Sequence, residues 1–192
     1  MPKLGMEPIR KRQLIEATIA SIHAHGFADT TMATISRAAG VSPGIIHHYF
    51  GGKAALLGAT MRMLLVELRL YVVTALRSAA GPRERIEAII DASFTDRQFQ
   101  PQVIVTWLAF WSQAPHDGTL MRLQRIYARR LQSNLRHDLR RLVGDGRATM
   151  VTQGMAAMID GLWLSFALSH RGDGAAAARR LAKDYLHRQL GA

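Results

Sequence analysis

One segment constrains the fold of this chain more than any other: residues 30–53, which read TTMATISRAAGVSPGIIHHYFGGK. Its first part, Met32 to Ala39, has the apolar spacing of a short amphipathic helix. Gly40 supplies a sharp turn, and Pro43 is a favoured first residue for a second helix, which Gly51-Gly52 would end. Two short helices joined by such a turn predict a helix-turn-helix, whose second helix lies in the major groove of DNA.

The rest of the chain also has helical periodicity, and no segment alternates convincingly with the period of a strand. Glycine and proline breaks divide it into about nine helices, near residues 8–25, 32–39, 43–50, 53–80, 83–97, 101–113, 119–143, 147–170 and 175–189. The pattern predicts an all-α protein, with a three-helix DNA-binding head in residues 1–52 and a larger helical domain for ligand binding and dimerisation in residues 53–192. Because the fourth helix follows Gly52 directly, we expect a rigid connector rather than a flexible linker.

A surplus of positive charge bears on the partners of this chain. Its 192 residues include 25 lysines and arginines and 14 aspartates and glutamates, for a net charge of +11. Such a surplus favours anionic partners, either nucleic acid or an anionic membrane. Most of it lies outside the head, and we interpret the arginine-rich stripe from residue 122 to residue 147 as a solvated helix face far from DNA. A membrane-surface role is disfavoured because no basic amphipathic terminal helix is evident.

Several function classes lack their sequence signatures. With no cysteine, disulfides and thiolate chemistry are excluded. No signal-peptide core and no apolar run near the ~20 residues of a membrane span occur, so we expect a soluble, cytoplasmic protein. No nucleophile elbow, P-loop, dinucleotide fingerprint or metal pattern is found, and Asp160 and His170 are too far apart along one helix to form an acid–base pair. We expect no enzymatic activity, no cofactor and no metal ion.

The second helix of the helix-turn-helix has the residue types that DNA recognition requires. Small or apolar residues at its start let the backbone approach base edges: Pro43, Gly44 and Ile45. Ring donors and acceptors follow: His47, His48 and Tyr49. Lys53 stands at the start of the next helix, where a cation is unfavourable unless an anion such as a DNA phosphate lies between.

The threonine-rich start, the run AAGVSPGIIHHYF and the lysine that follows together resemble the signature of the tetracycline-repressor (TetR) family. The common form of that signature has tyrosine at the position of His47, where this sequence departs from it. The resemblance implies DNA contacts by Thr31, Pro43, Gly44, Ile45, His47, His48, Tyr49 and Lys53. A basic arm would add phosphate or minor-groove contacts through Lys3, Arg10, Lys11 and Arg12; alternatively, these residues form a frayed basic terminus.

All three tryptophans lie in two segments, VTWLAFWSQ and MIDGLWLSFAL. Trp107 and Trp111 share a helix face, as do Asp160 and Trp163. Asp160 is flanked by apolar residues, and a buried carboxylate is costly unless a cation pairs with it. Aromatic faces and one carboxylate suit a quaternary ammonium ligand, which predicts a site formed by Trp107, Phe110, Trp111, Tyr127, Asp160 and Trp163. Alternatively, the tryptophans are core residues and the carboxylate pairs with Arg125 or Arg129.

Five segments, MPKLGM, GVSPGIIHHYF, ATMR, WLAFW and IDGLWL, resemble the choline-responsive repressors of the TetR family over nearly the whole chain. The resemblance implies a homodimer that represses genes for choline uptake and glycine-betaine synthesis and is relieved by choline. A multidrug-type repressor of the same family, which senses other organic cations, is the alternative.

A dimer also follows from DNA geometry, because two recognition helices about one DNA turn (~34 Å) apart read a pseudo-palindromic operator. We expect the interface on the last two helices, where small or apolar residues permit close approach: Gly154, Ala156, Ala157, Gly161, Leu181 and Tyr185.

Overall fold

The structure is a computed structural model that describes residues 6–169 and 174–191. In these ranges the chain forms helices and no strand, which confirms the all-α prediction. The eight helices are α1 (Met6–Asp29), α2 (Met32–Ala39), α3 (Pro43–Phe50), α4 (Lys53–Ser78), α5 (Pro82–Ser93), α6 (Pro101–Gln113), α7 (Gly118–Ser169) and α8 (Gly174–Leu190), with a short 3-10 turn at Ala114–His116.

The helix-turn-helix forms where the sequence predicts it. Thr31 caps α2 through a reciprocal capping box, in which its hydroxyl accepts from the Thr34 backbone N–H at 3.1 Å and its own N–H donates to Thr34 Oγ1 at 2.9 Å. Gly40 ends α2 in the left-handed region at φ 64°, and Gly51 ends α3 in the same way at φ 75°. The chain can therefore turn sharply after each of these two short helices.

Two of the longer helices contain a break. α1 is interrupted at Gly26 and α7 at Gly144, each with φ 74°. The break at Gly144 is the one expected near residues 144–146. α7 therefore corresponds to two of the nine predicted helices, and each of the other seven helices corresponds to one. α5 is shorter than predicted and ends at Ser93, because Phe94 leaves the helical region at φ −121° and is fully buried.

The described residues group into two compact units. The first comprises the described part of Met1–Leu64 together with Gln100–Gln124. In its core, α1 packs against α2 and α6, and α2 packs against α3. Fully buried side chains from these helices and from the start of α4 fill this core: Leu14, Ile22, Ile35, Ile46, Leu56, Met61, Val103 and Phe110.

The second unit comprises Leu65–Phe99 and the described part of Arg125–Ala192. α5 packs against α8, and the fully buried side chains include Ile86, Ile90, Phe94, Leu135, Leu139, Met155 and Leu186. The boundaries of these two units differ from the domain boundary predicted at residue 52. That boundary, between a DNA-binding head and a ligand-binding domain, stays a prediction. By length and composition one described helix, α7, has an 18-residue window apolar enough to cross a membrane, with 39% of that window buried; core helices pass the same test.

Candidate DNA-binding and ligand-binding sites

α3 exposes most of the side chains predicted to meet DNA. Ile46 is fully buried and fixes the helix on its own unit. The other residues at its start and on its outer side are exposed: Pro43, Gly44, Ile45, His47 and His48. Tyr49 is half-buried, and its ring meets the His48 ring edge-on with centroids 5.0 Å apart. Ser42 precedes α3 but makes no side-chain capping bond. The helix therefore presents a polar and aromatic surface on an apolar anchor.

Thr31 is exposed, and its side-chain oxygen already accepts the cap bond of α2. Its hydroxyl hydrogen remains available to a phosphate at the same helix N-terminus. The neighbouring Thr34 hydroxyl accepts a hydrogen bond from Ser21 of α1 at 2.9 Å. The N-terminus of α2 is thus tied to α1 before any DNA is bound.

Lys53 is engaged within its own unit. Its ammonium donates to the Phe27 carbonyl oxygen at 2.6 Å and to the Ala28 carbonyl oxygen at 3.4 Å, and lies 4.3 Å from the centroid of the Phe27 ring. Burial lowers the pKa of Lys53, while nearby Asp29 opposes that effect. A cation at the carboxyl end of a helix is favourable, so this lysine joins α4 to the end of α1.

The proposed basic arm is helical from Met6 onward, and its side chains have partners on the same helix. Lys11 pairs with Glu7 at 2.6 Å, and Arg12 pairs with Glu16 at 3.0 Å. Arg10 donates to Gln13. Lys3 of this arm and His170 lie outside the described residues. His23, His25, His47 and His48 do not group with other ligands into a metal site in the described ranges.

The aromatic residues of α6 pack in the core of the first unit. Trp107 is 4% exposed and Phe110 is fully buried. The ring of Trp107 lies 5.9 Å from the ring of Phe110 and 5.9 Å from that of Trp111, centroid to centroid. The indole N–H of Trp111 donates to Gln124 Oε1 at 3.3 Å. The predicted aromatic face of α6 therefore forms, and two of its rings, those of Trp107 and Phe110, are part of the hydrophobic core.

Tyr127 and Asp160 form a hydrogen-bonded pair in the second unit. The Tyr127 hydroxyl donates to Asp160 Oδ1 at 2.8 Å. Burial raises the pKa of Asp160, and the bond from Tyr127 only partly opposes that. Burial first, and then the Asp160 charge, raises the pKa of Tyr127 well above its ordinary value. The alternative pairing of Asp160 with Arg125 or Arg129 does not form: both arginines are exposed, and Asp160 makes no ion pair within the described ranges.

Trp163, one turn after Asp160, is 7% exposed and stacks obliquely on Phe99, with ring centroids 6.3 Å apart. Phe99 in turn lies 6.2 Å from Phe94. Phe99 was not predicted as a site residue. It lies in the irregular segment between α5 and α6, where helical residue spacing gives no prediction. The second unit thus contains a carboxylate bonded to a phenol, and a tryptophan one helical turn further along α7 that contacts Phe99.

The six predicted ligand residues fall into two groups in different units: Trp107, Phe110 and Trp111 in the first, and Tyr127, Asp160 and Trp163 in the second. Within the second unit, a cavity of about 260 Å³ has mostly aliphatic walls from α4, α5 and α7 and includes Tyr127. Sequence reasoning did not predict these walls. The spacing of Leu65, Leu68, Val72 and Leu76 on α4 was the available signal.

The predicted dimer surface is partly exposed and partly used within the chain. A Cβ at Gly154 would collide with the Tyr185 hydroxyl of the same chain, so Gly154 makes room inside the second unit. Ala156 is buried as well. Ala157 and Gly161 are exposed, and the same stripe of α7 continues through Leu164 and Leu168, which are 38% and 57% exposed. Leu181 on α8 is 48% exposed.

A capped helix-turn-helix with an exposed second helix, followed by an all-helical unit, defines a DNA-binding transcriptional regulator. Two family models match the chain: "Bacterial regulatory proteins, tetR family" over residues 14–60, and "BetI-type transcriptional repressor, C-terminal" over residues 82–191. The chain therefore belongs to the TetR family of regulators, as a BetI-type repressor. These relatives are regulators of transcription and not enzymes.

Individual relatives agree with this assignment. The chain is 52% identical over 193 residues to HTH-type transcriptional regulator BetI 1 of Chromohalobacter salexigens, a match covering 99% of this chain and 95% of that one. It is 47% identical to BetI of Brucella suis, covering 99% and 96%. A solved transcriptional regulator from Pseudomonas aeruginosa shares the fold with a TM-score of 0.85 and 28% identity, covering 98% and 93%.

A further solved regulator, from Saccharomonospora viridis in complex with choline, has a TM-score of 0.78 and 20% identity, covering 92% of this chain and 95% of that one. At that identity the likeness establishes a common fold.

Proposed function

We propose that this protein represses genes for choline uptake and glycine-betaine synthesis and that choline relieves the repression. Its BetI-named relatives and the choline complex of a regulator with the same fold support this proposal. The observation that carries it is the Asp160–Tyr127 pair, a half-buried carboxylate with no cationic partner in the described ranges and with Trp163 one turn away. A quaternary ammonium would supply the missing charge, and aromatic faces accept its methyl groups.

On DNA, the protein acts as a homodimer in which each α3 enters the major groove of one half-site. The contacting residues are Thr31, Pro43, Gly44, Ile45, His47, His48, Tyr49 and Lys53. The exposed stripe of α7 and the exposed side of α8 supply the dimer contact. As a regulator of a bacterial chromosome, the protein works in the cytoplasm.

Relief of repression is a population shift. Choline lowers operator occupancy only by the ratio of its affinities for the two conformations of the protein, the one that fits the operator and the one that does not. Asp160 has no cationic partner in the described ranges and would gain one when choline binds. A conformation that allows this ion pair would bind choline more tightly than one that does not. The predicted effector residues within the second unit are Tyr127, Asp160 and Trp163.

An operator gel shift with increasing choline tests the proposal. Wild type should release its operator as choline rises, whereas Asp160→Asn and Trp163→Ala should hold it at every choline concentration and keep their affinity for DNA. Arg125→Gln removes a charge from an exposed position of α7, two residues before Tyr127, and is the matched control. An operator affinity of wild type that is unchanged at saturating choline would contradict the choline assignment, and loss of DNA binding in both variants would mark the two residues as structural.

A second candidate is a repressor of the same family that senses larger hydrophobic cations. The cavity of about 260 Å³ favours it, because its walls are largely aliphatic and one side contains Tyr127. Against it stand Arg69 and Arg130, which line the same cavity and repel a cation. Calorimetry with choline and with a lipophilic cationic dye separates the two, since only one of the ligands should bind tightly enough to release the operator.

A further inference from the structure

A polar groove lies along α7 in the second unit, apart from the residues assigned above to choline and DNA. Its volume is about 450 Å³. Residues before and after the break at Gly144 line it, and none of them is acidic: Arg129, Gln132, Ser133, Arg136, His137, Arg140, Thr149, Thr152 and Gln153. This surface, called here the α7 groove, includes part of the arginine-rich stripe that the sequence alone suggested to be a solvated helix face.

The sequence spacing places the arginines in a row. Arg129, Arg136 and Arg140 recur at i, i+7 and i+11, which is one face of a helix. At 1.5 Å per residue, the row extends over ~16 Å. Arg140 pairs with Asp145 at 2.6 Å, but both side chains are more than half exposed, and such surface pairs are weak. Arg129 and Arg136 make no ion pair within residues 6–169 and 174–191.

Thr152 shows that the α7 groove differs from an ordinary charged surface. Its side chain is 4% exposed, and its buried Oγ1 has no hydrogen-bond partner in the described structure. Buried helical threonines elsewhere in this protein donate to the carbonyl four residues earlier, as Thr60 does to Leu56 at 2.9 Å and Thr106 to Gln102 at 2.7 Å. A buried hydroxyl left without such a bond is costly, so a missing acceptor at Thr152 points to a ligand.

We propose that the α7 groove binds a small molecule that carries two or more linked phosphate groups. The guanidinium groups of Arg129, Arg136 and Arg140 bind phosphate oxygens through paired N–H donors. The Thr152 hydroxyl donates to another of these oxygens. Because the row of arginines is ~16 Å long, one orthophosphate engages only a part of it, whereas a linked chain of phosphates reaches several.

Calorimetric titration of the full chain in a phosphate-free buffer tests this site with two probes, sodium tripolyphosphate and orthophosphate. Wild type should bind one tripolyphosphate per chain, and orthophosphate at least roughly tenfold more weakly. Arg136→Gln should weaken tripolyphosphate binding by roughly tenfold or more. Arg122→Gln removes the same charge from an exposed position of α7 outside the groove, and it should leave the affinity within about twofold of wild type.

The Thr152 hydroxyl gives an independent readout. Thr152→Val keeps the shape but removes the unpartnered hydroxyl, so it should raise or preserve the melting temperature of the free protein while weakening tripolyphosphate binding by at least roughly fivefold. Thr60→Val, which loses a formed hydrogen bond, should lower the melting temperature and leave binding unchanged.

Three results would overturn the proposal. One is equal weakening in Arg136→Gln and Arg122→Gln, which would indicate attraction by net charge alone. Another is binding of random-sequence duplex DNA, but not of tripolyphosphate, that depends on Arg136. The third is a change in oligomeric state in Arg136→Gln, which would assign the α7 groove to a second copy of the chain. A failure of the choline response would leave the proposal unaffected, since the two sites share no residue.

Discussion

The ammonium of Lys53 caps the end of α1 and lies 4.3 Å from the ring centroid of Phe27, whose carbonyl oxygen it binds at 2.6 Å. The lysine at the end of the helix-turn-helix motif therefore has a structural role in the free protein. A side chain with three N–H donors can keep this carbonyl and still donate to a phosphate. Removing the lysine should therefore reduce both the stability of the protein and its phosphate contacts with DNA, and the two effects can be measured separately.

Lys53→Ala should lower the free energy of unfolding by about 1–2 kcal/mol, because the charged hydrogen bond to the end of α1 is lost. It should also reduce the slope of log operator affinity against log salt concentration by about one unit, because one phosphate contact disappears. Urea unfolding and salt-dependent binding by fluorescence anisotropy measure the two effects. Arg83→Ala, a charge loss on α5, is the control, and an unchanged slope in Lys53→Ala would leave only the structural role.

Exposed His48 and half-buried Tyr49 of α3 should both matter for DNA binding, and His48 should matter little for folding. His48→Ala and Tyr49→Ala should each weaken operator binding by about 1–3 kcal/mol, because each removes a side chain that can reach base edges or phosphates. His48→Ala should change stability by less than about 0.5 kcal/mol, since His48 is exposed. Ile46→Ala gives the opposite pattern, with a large loss of stability. Anisotropy and thermal melts distinguish the two, and a destabilised His48→Ala protein would argue against this assignment.

The head could be predicted closely from the sequence because local chemistry determines it. A threonine cap, two glycines with positive φ and a proline at the first helical position specify α2 and α3 without reference to distant residues. The end of α5 could not be predicted, since no glycine or proline marks it. Burial of Phe94 in the second unit, a tertiary effect, decides where that helix ends.

The candidate ligand site was predicted only in part for the same reason. Helical spacing identified Asp160 with Trp163, and Trp107 with Trp111, because each pair lies on one face. It did not identify Tyr127 as the hydrogen-bond partner of Asp160, which is 33 residues away. Nor did it identify Phe99 as the ring that packs against Trp163. Contacts between helices depend on how the helices pack, and periodicity along one helix carries no information about its neighbour.

The raised pKa of Asp160 predicts that choline binding depends on pH in the acid range. Choline requires the ionised carboxylate, so its affinity should fall as the pH drops through the pKa of Asp160, which burial places above its ordinary 3.8. Asp160→Asn should bind weakly at every pH. Tryptophan fluorescence titrations across the acid range measure this, and a wild-type affinity independent of pH would contradict it.

The raised pKa of Asp160 should also make the stability of the folded protein depend on pH. A carboxyl group whose pKa is raised on folding contributes stability that is fully present below the unfolded pKa and is lost as the pH rises through the folded pKa. Asp160→Asn should therefore be at least as stable as wild type at neutral pH, and its advantage should vanish below pH 3.8. The Tyr127 hydroxyl can still donate to the asparagine oxygen, so the hydrogen bond is preserved in this comparison.

The exposed leucines of α7 should hold the dimer together. Leu168→Glu places a charge in an apolar contact and should weaken dimerisation by at least roughly tenfold, since burying an unpaired charge is costly. Leu70→Glu, at an equally exposed position of α4, should leave the dimer intact. Gly154→Ala should instead lower stability, because the new Cβ meets the Tyr185 hydroxyl of its own chain. Analytical ultracentrifugation and thermal melts separate these outcomes, and a dimeric Leu168→Glu would place the interface elsewhere.

Arg85 and Asp138 form the ion pair on which the second unit should depend most. Asp138 is fully buried, and both of its oxygens accept from Arg85 Nε, at 3.0 and 3.1 Å. Arg85→Met leaves the carboxylate buried without a cation and should lower the free energy of unfolding by about 3–5 kcal/mol. The double variant Arg85→Met, Asp138→Leu removes both charges and should recover most of that loss, because hydrophobic replacement of a buried pair is often neutral. Urea unfolding measures all three proteins, and a single variant within about 1 kcal/mol of wild type would mean that water reaches Asp138.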